Sequence, residues 1–194
     1  NNYTNWNLIK YSGILSTLIL LIYFFWSINS WDIIKIISLV VLLLSFFNFF
    51  ISKKFNEYWY VKIIILLLLI ISLGSPTIPN DSRNLYLFSA KVLFYGSNLY
   101  EILNTYDSSV NNFFGILFAK PKLAATVSAT FAKLIGHWNE IYPKSTNVIL
   151  LFPSVLFLIS FFSSRNLIVL WLFSILFFSG KLFINGLMDG IIAL

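Results

Sequence analysis

Residues 58–74 read YWYVKIIILLLLIISLG, and this stretch decides the fold class. Its aromatic start at residues 58–60 is typical of the headgroup layer of a bilayer, and no charged residue follows Lys62 before Gly74. The Leu/Ile run is short for a membrane span, which needs about 20 apolar residues. We nevertheless predict a transmembrane helix that ends near Leu73.

The rest of the chain has the same character. Mean hydropathy is +0.86, with 59% hydrophobic and 10% charged residues, which is more apolar than a soluble domain needs. Apolar runs between polar breaks predict four more spans, near 8–28, 33–51, 147–162 and 167–184. The predicted fold class is therefore all-α, a polytopic transmembrane helix bundle.

Composition excludes several kinds of site. The chain has no cysteine and a single histidine, which excludes disulfides and makes a histidine or thiolate zinc site implausible. The formal charge of +6 indicates membrane sidedness and lipid contact, and no nucleic-acid partner is expected. The chain starts without methionine and stops within an apolar run, which leads us to expect an N-terminal fragment of a longer protein.

The charged loop at 74–146 sets the expected topology. Cations in short loops and near span ends mark the cytoplasmic side, and here they are Lys10, Lys53, Lys54, Lys62 and Arg165. The long loop is then extracytoplasmic, with amphipathic interfacial helices. Residues 122–135 are apolar enough to be buried but are short for a span and are interrupted by Thr126, Ser128, Thr130 and Lys133. We therefore expect them to form one of these helices at the outer interface, which puts Asp189 on the same face as Asp81. If 122–138 crosses the bilayer instead, Asp189 is cytoplasmic.

Asp81 is the first candidate site residue. Asp81 or Ser82 can cap a predicted amphipathic surface helix that reaches Tyr95, with Gly96 as a left-handed stop. The residues predicted to line one face of this helix are Leu85, Phe88, Val92 and Tyr95. A carboxylate at a helix N-terminus is favoured in its ionised form, which suits it to bind a cation or orient a hydroxyl. The alternative is that Asp81 only caps the helix.

Lys120 and Lys122 form the second candidate. Pro121 between them fits the first turn of a helix that ends at Gly136. Free backbone N–H groups with ammonium groups beside them make a phosphate site, suited to a lipid phosphate at the membrane surface. The alternative is that both lysines only contact anionic headgroups.

These segments resemble the GT-C glycosyltransferases, membrane enzymes that use polyprenyl-phosphate-linked sugars. Asp81 with Arg83, Tyr86, Ala90 and GSNLY at 96–100 resembles their first extracytoplasmic loop. FAKP at 118–121 is similar to the Phe-Glu-Lys-Pro segment of the aminoarabinose and protein-mannosyl transferase branch, with alanine in place of the acid. NGLMDG at 185–190 is similar to the second-loop motif.

The resemblance implies roles for single residues. Asp81 would be the catalytic carboxylate that positions or deprotonates the acceptor, with Asp189 assisting as a second catalytic residue. Lys120, with Lys122 and Arg83, would bind the donor phosphate. Many family members carry a second acid where this chain has Ser82, so a divalent cation and its ligands stay open.

The resemblance also implies domains. Residues 1–57 would be two extra N-terminal transmembrane helices, and 58–194 the N-terminal part of the catalytic domain. The expected function is transfer of a sugar from a polyprenyl-phosphate carrier, in the bilayer, to an extracytoplasmic acceptor of unknown identity, by an inverting glycosyltransferase. The expected location is the bacterial cytoplasmic membrane, with the active site on its outer face. The alternatives are a polytopic transporter or lipid flippase, and a noncatalytic membrane subunit.

Overall fold

The computed structural model describes residues 2–74, 87–96, 123–139, 141–162 and 164–184, with backbone only at 2–5, 88, 142–144 and 175–184. All regular structure in these ranges is helical, which confirms the all-α class for the described part of the chain. The elements are α1 (Asn2–Ser27), α2 (Asp32–Ile51), a 3-10 helix (Lys53–Tyr58), α3 (Trp59–Gly74), α4 (Phe88–Tyr95), α5 (Leu123–Ile135), α6 (Ile141–Ile159) and α7 (Arg165–Ile184).

Three stretches are long and apolar enough to cross a membrane by length and composition. They are Trp6–Ser27, Asp32–Ile51 and Lys53–Gly74, close to the first three predicted spans. The fourth and fifth predicted spans fall on α6 and α7, whose described apolar parts, Ser145–Ile159 and Arg165–Ser174, are shorter. The outward-facing leucine, isoleucine and phenylalanine side chains of α1 to α3 fit hydrocarbon rather than water.

The helices pack around one core, and side-chain contacts define its two ends. At the first end, the ring of Tyr11 on α1 packs against Phe49 of α2 and Phe55 of the 3-10 helix, with centroids 6.1 and 5.1 Å away. Phe152 of α6 also packs on Phe49, at 5.1 Å. We call this the cationic end, because Lys10, Lys53, Lys54, Lys62 and Arg165 lie there.

The opposite end holds the turn between α1 and α2, and we call it the hairpin end. The backbone reverses at Asn29, whose φ of 51° is the left-handed conformation that asparagine tolerates better than most residues. The Trp26 indole next to this turn donates a hydrogen bond to Thr130 of α5. The last turn of α5 therefore lies at the hairpin end.

The expected surface position of 122–135 is wrong, because α5 lies inside the bundle. It packs against α1, α2, α4 and α6, and eight of its residues are buried: Ala124, Ala125, Thr126, Val127, Ser128, Ala129, Thr130 and Ala132. Its alanines let the neighbouring backbones approach closely. With 13 residues it is about 20 Å long. That is too short to cross about 30 Å of hydrocarbon, so α5 starts in the bundle interior.

Two details of the predicted helix before residue 96 are also wrong. Its buried face carries Leu87, Ala90 and Leu93, whereas Tyr95 is 71% exposed. Gly96 does follow the last helical residue, but its φ of −91° is extended rather than left-handed. α4 packs against α5, and the small Ala90 is fully buried. The start that we predicted at Asp81 or Ser82 lies outside the described residues.

The first two helices share the core of the others. α1 packs against α2, α5 and α6, and α2 also packs against α5. Ser12 of α1 donates a hydrogen bond to the Pro153 carbonyl of α6 at 2.8 Å. The boundary at residue 57 stays a prediction, but the helices before it contribute directly to the packing of those after it.

Candidate functional site

The five site residues predicted from the sequence lie outside the described residues. They are Asp81, Arg83, Lys120, Lys122 and Asp189. The structure does describe the helix ends nearest to them in the chain. Gly74 ends α3, Leu123 starts α5 in the bundle interior, and Ile184 ends α7. The roles of the five residues stay predictions.

A charged cluster at the hairpin end is the most distinctive feature of the described side chains. The Asp32 carboxylate accepts from the Lys35 ammonium at 3.2 Å through Oδ1 and from the Lys133 ammonium at 2.5 Å through Oδ2. The exposed fractions of these side chains are 51% for Asp32, 2% for Lys35 and 16% for Lys133. One carboxylate thus bridges two lysines from different helices, and the cluster carries a formal charge of +1.

Trp26 is the apolar centre of this cluster. Its ring centroid lies 3.9 Å from Nζ of Lys35 and 5.2 Å from Nζ of Lys133, so both ammonium groups contact the indole. Its Nε1 donates to Thr130 Oγ1 at 2.8 Å, and Thr130 donates to the Thr126 carbonyl at 2.7 Å. The indole N–H, the one polar group of the fully buried Trp26 side chain, is therefore hydrogen-bonded.

The sequence builds this cluster from local and distant parts. Asp32 is the first residue of α2, where a carboxylate is stabilised by the helix dipole, and Lys35 is one turn later. Lys133 lies in the last turn of α5, 101 residues away from Asp32. Our sequence reasoning missed the cluster. The available signal was Lys35, an ionisable residue inside an apolar span, because such residues need a partner.

The cluster fixes charge in position but offers no nucleophile and no metal site. No group of three metal-ligating side chains occurs among the residues that the structure describes. The half-exposed carboxylate is already paired with both lysines, and Lys35 is closed to solvent. Its direct effect is to join α5 to the α1–α2 hairpin.

A second polar feature runs between α5 and α6. Ser128 and Thr146 share a hydrogen bond at 2.7 Å, and both side chains are buried. Among the described side chains of these two helices, the buried polar ones are Thr126, Ser128, Thr130, Ser145, Thr146 and Asn147. This hydroxyl seam, as we call the contact around Ser128 and Thr146, places polar groups inside an otherwise apolar bundle.

The cationic end shows how two of its cations are held. Lys62 of α3 donates at 3.0 Å to the Phe50 carbonyl, one of the last carbonyls of α2 that has no partner within its own helix. The Arg165 guanidinium lies 5.1 Å from the Trp59 ring and 5.2 Å from the Tyr60 ring. The starts of α3 and α7 are therefore side by side at this end.

Comparisons with protein-family models, with curated proteins and with solved structures found no match to this chain. The resemblance to the GT-C glycosyltransferases therefore rests on the residues quoted for it, and it stays a prediction.

Proposed function

We propose that this chain is part of a membrane glycosyltransferase that moves a sugar from a polyprenyl-phosphate carrier to an acceptor on the outer face of a bacterial cytoplasmic membrane. The three motifs at 81–100, 118–121 and 185–190 support the proposal by their order in the chain. The helical, apolar bundle is compatible with it, because the donor of such an enzyme is held in a bilayer.

The observation that carries the proposal is the shared starting point of α3 and α7. Arg165, the first residue of α7, packs on Trp59, the first residue of α3. Ile168 and Leu172 of α7 are buried in the common core, so α7 continues along the bundle, away from the cationic end. This arrangement supports our inference that the segments after the two helices emerge on one face.

Those two segments carry the proposed catalytic acids. Asp81 follows the last residue of α3 by seven positions, and Asp189 follows that of α7 by five. Displacement at an anomeric carbon needs a base for the incoming hydroxyl, which we assign to Asp81 with Asp189 assisting. It also needs cationic side chains that stabilise the negative charge of the departing phosphate. We assign this role to Lys120, with Lys122 and Arg83 beside it.

Sugar transfer by the protein that carries this chain tests the proposal. Asp81→Asn and Lys120→Gln should each lower transfer from a radiolabelled polyprenyl-phosphate sugar by at least about 100-fold, the scale of a lost base or a lost charge stabiliser. The matched control is Asp107→Asn, a loop acid outside the motifs, which should keep full activity. Equal activity of Asp81→Asn and the unmodified protein would rule out the catalytic assignment.

The hydroxyl seam favours a second candidate, a transporter or lipid flippase. Such a protein needs polar groups along a path through the bundle, and Ser128 with Thr146 supplies them in the interior. Ser128→Ala with Thr146→Val should then slow lipid or solute passage in reconstituted vesicles. A noncatalytic membrane subunit would show neither activity by itself.

A further inference from the structure

The cationic end gathers most of the charge that the structure describes. Six of the ten charged residues whose side chains the structure describes lie at this end: the cations Lys10, Lys53, Lys54, Lys62 and Arg165, and the carboxylate of Glu57. Five positive charges and one negative charge give this end a formal charge of +4. Among the described side chains, the three-residue cluster at the hairpin end contributes +1.

These charges are turned outward. Lys10, Lys53, Lys54 and Arg165 are exposed, and Lys62 is half-buried. Within the described part of the chain, the two ion pairs both involve Asp32 at the other end, so no described acid, Glu57 included, forms an ion pair with these cations. A concentration of exposed cations with no ion-pair partner among the described side chains creates a positive potential that attracts anions.

Two tryptophans place this charge at the level of lipid headgroups. Trp6 and Trp59 are 58% and 50% exposed, in the range expected for indoles at a membrane boundary. Each has a cation at its face: Lys10 lies 5.8 Å from the Trp6 ring and Arg165 lies 5.1 Å from the Trp59 ring. The indoles and the cations therefore occupy the same layer.

We propose that the cationic end is a docking surface for anionic phospholipid headgroups, with Lys53 and Lys54 as its main contacts. These neighbouring lysines lie in the 3-10 helix between two spans, where their side chains can reach phosphates of a single leaflet. Lys62 and Arg165 are already held by protein groups, so they add to the positive electrostatic potential of this end rather than contact headgroups directly. The surface attracts negative lipids to one leaflet and so fixes the orientation of the bundle. This inference is independent of the proposed sugar transfer.

Competition between lipids tests the proposal. The purified chain is reconstituted in phosphatidylcholine vesicles, and the association of spin-labelled phosphatidylglycerol is compared with that of spin-labelled phosphatidylcholine by electron paramagnetic resonance. We expect preference for phosphatidylglycerol, reduced by added salt because the attraction is electrostatic. Lys53→Gln with Lys54→Gln should lower the preference by up to about five-fold per lysine at low salt, the factor for about 1 kcal/mol per cation near an anionic surface.

Two matched variants separate charge from structure. Lys53→Arg with Lys54→Arg keeps the charge and should keep the preference. Lys91→Gln removes an exposed lysine on α4, outside this end, and should leave it unchanged. Equal association of the two lipids with the unmodified protein would overturn the proposal. So would a loss in Lys91→Gln as large as that in the double variant, because the effect would then reflect net charge alone.

Discussion

The ammonium of Lys35 lies 3.9 Å from the centre of the Trp26 ring, and both side chains are fully buried. A desolvated ammonium over an indole face gains about 2 kcal/mol, which alone is less than the cost of removing the charge from water. The Asp32 carboxylate at 3.2 Å supplies the remaining compensation. Lys35 is therefore tolerated inside a span because its ammonium interacts with both the Trp26 ring and the Asp32 carboxylate.

Removing the shared anion should destabilise the bundle. Asp32→Asn leaves the buried Lys35 without its carboxylate. Because Asp32 is half-exposed and solvent screens the pair, the cost should lie below about 3 kcal/mol, the cost of breaking a fully buried pair. The free energy of unfolding in mild detergent measures the loss. Asp32→Glu, which keeps the charge, should lose less.

A second substitution checks that the cost comes from the uncompensated lysine. Lys35→Met in the Asp32→Asn background removes the buried charge while keeping the length of the side chain. We expect the double variant to recover most of the lost stability, because a buried pair can be replaced by apolar groups at little cost. Additive losses in the double variant would show that the two residues do not act as a pair.

The buried hydrogen bond from Trp26 to Thr130 gives another prediction. Thr130→Val keeps the shape of the side chain but leaves the indole N–H without an acceptor, at a cost of about 1 to 3 kcal/mol. Thr130→Ser keeps the hydroxyl and should cost less. In a Trp26→Phe background the valine should be nearly harmless, since no indole donor remains. The free energies of unfolding of the parent, the two single variants and the double variant form a double-mutant cycle. If Thr130→Val costs as much in the Trp26→Phe background as in the parent, the loss does not come from the hydrogen bond between Trp26 and Thr130.

The sequence predicted those parts of the fold that depend on continuous apolar runs. α1, α2 and α3 match because each follows a continuous apolar run that is visible in the sequence, and with the 3-10 helix before α3 all three are long and apolar enough to cross a membrane. α5 was misplaced because Thr126, Ser128 and Thr130 suggested a surface, whereas their hydroxyls are bonded to backbone carbonyls and to Thr146 within the bundle. A polar residue in a sequence does not reveal whether its partner is water or protein.

The charged cluster could not be predicted for a related reason. The sequence alone indicates that Asp32 and Lys35 lie one helical turn apart and can pair. Lys133, however, is 101 residues away from Asp32 in the chain. Only the packing of α5 against α2 brings them together. By contrast, Gly136 was readable as a helix stop, and the structure has it directly after α5 with a φ of 88°.

Gly136 should resist substitution. Its left-handed backbone lets its N–H donate to the Ala132 carbonyl at 3.0 Å and close the last turn of α5. Gly136→Ala should destabilise the protein by about 1 kcal/mol through backbone strain, with no clash, since an added Cβ meets no atom within 4 Å. The control is Gly13→Ala in α1, equally open but helical, which should be neutral or stabilising. Thermal unfolding compares the two, and equal shifts would exclude strain at Gly136.

Lys62 should stabilise the end of α2. Lys62→Met removes the donor to the Phe50 carbonyl and should cost about 1 kcal/mol, because that carbonyl and the negative end of the helix lose a cation. Lys54→Met, at an exposed position of the adjacent 3-10 helix, should stay within about 0.5 kcal/mol of the parent. Chemical unfolding followed by tryptophan fluorescence measures both. A larger loss at Lys54 than at Lys62 would contradict the capping role.

Sidedness tests the arrangement on which the proposed catalytic pair depends. The sequence has no cysteine, so each introduced cysteine is a unique label in this chain. Trp31→Cys marks the hairpin end, where the side chain is 80% exposed, and Lys54→Cys marks the cationic end. A maleimide that cannot cross the membrane should label the first in intact cells and the second only after permeabilisation, because cations are retained on the cytoplasmic side.

Cysteines at positions 81 and 189 should then behave like the one at position 31. α3 and α7 start together at the cationic end, so the segments after them are expected at the other end. Labelling of Asp81→Cys and Asp189→Cys in intact cells would put both acids on the outer face, where one donor phosphate can reach both. Labelling of Asp189→Cys only after permeabilisation would separate the two acids by the bilayer. The chemistry would then have to proceed without Asp189, and Asp81 would be the single remaining base.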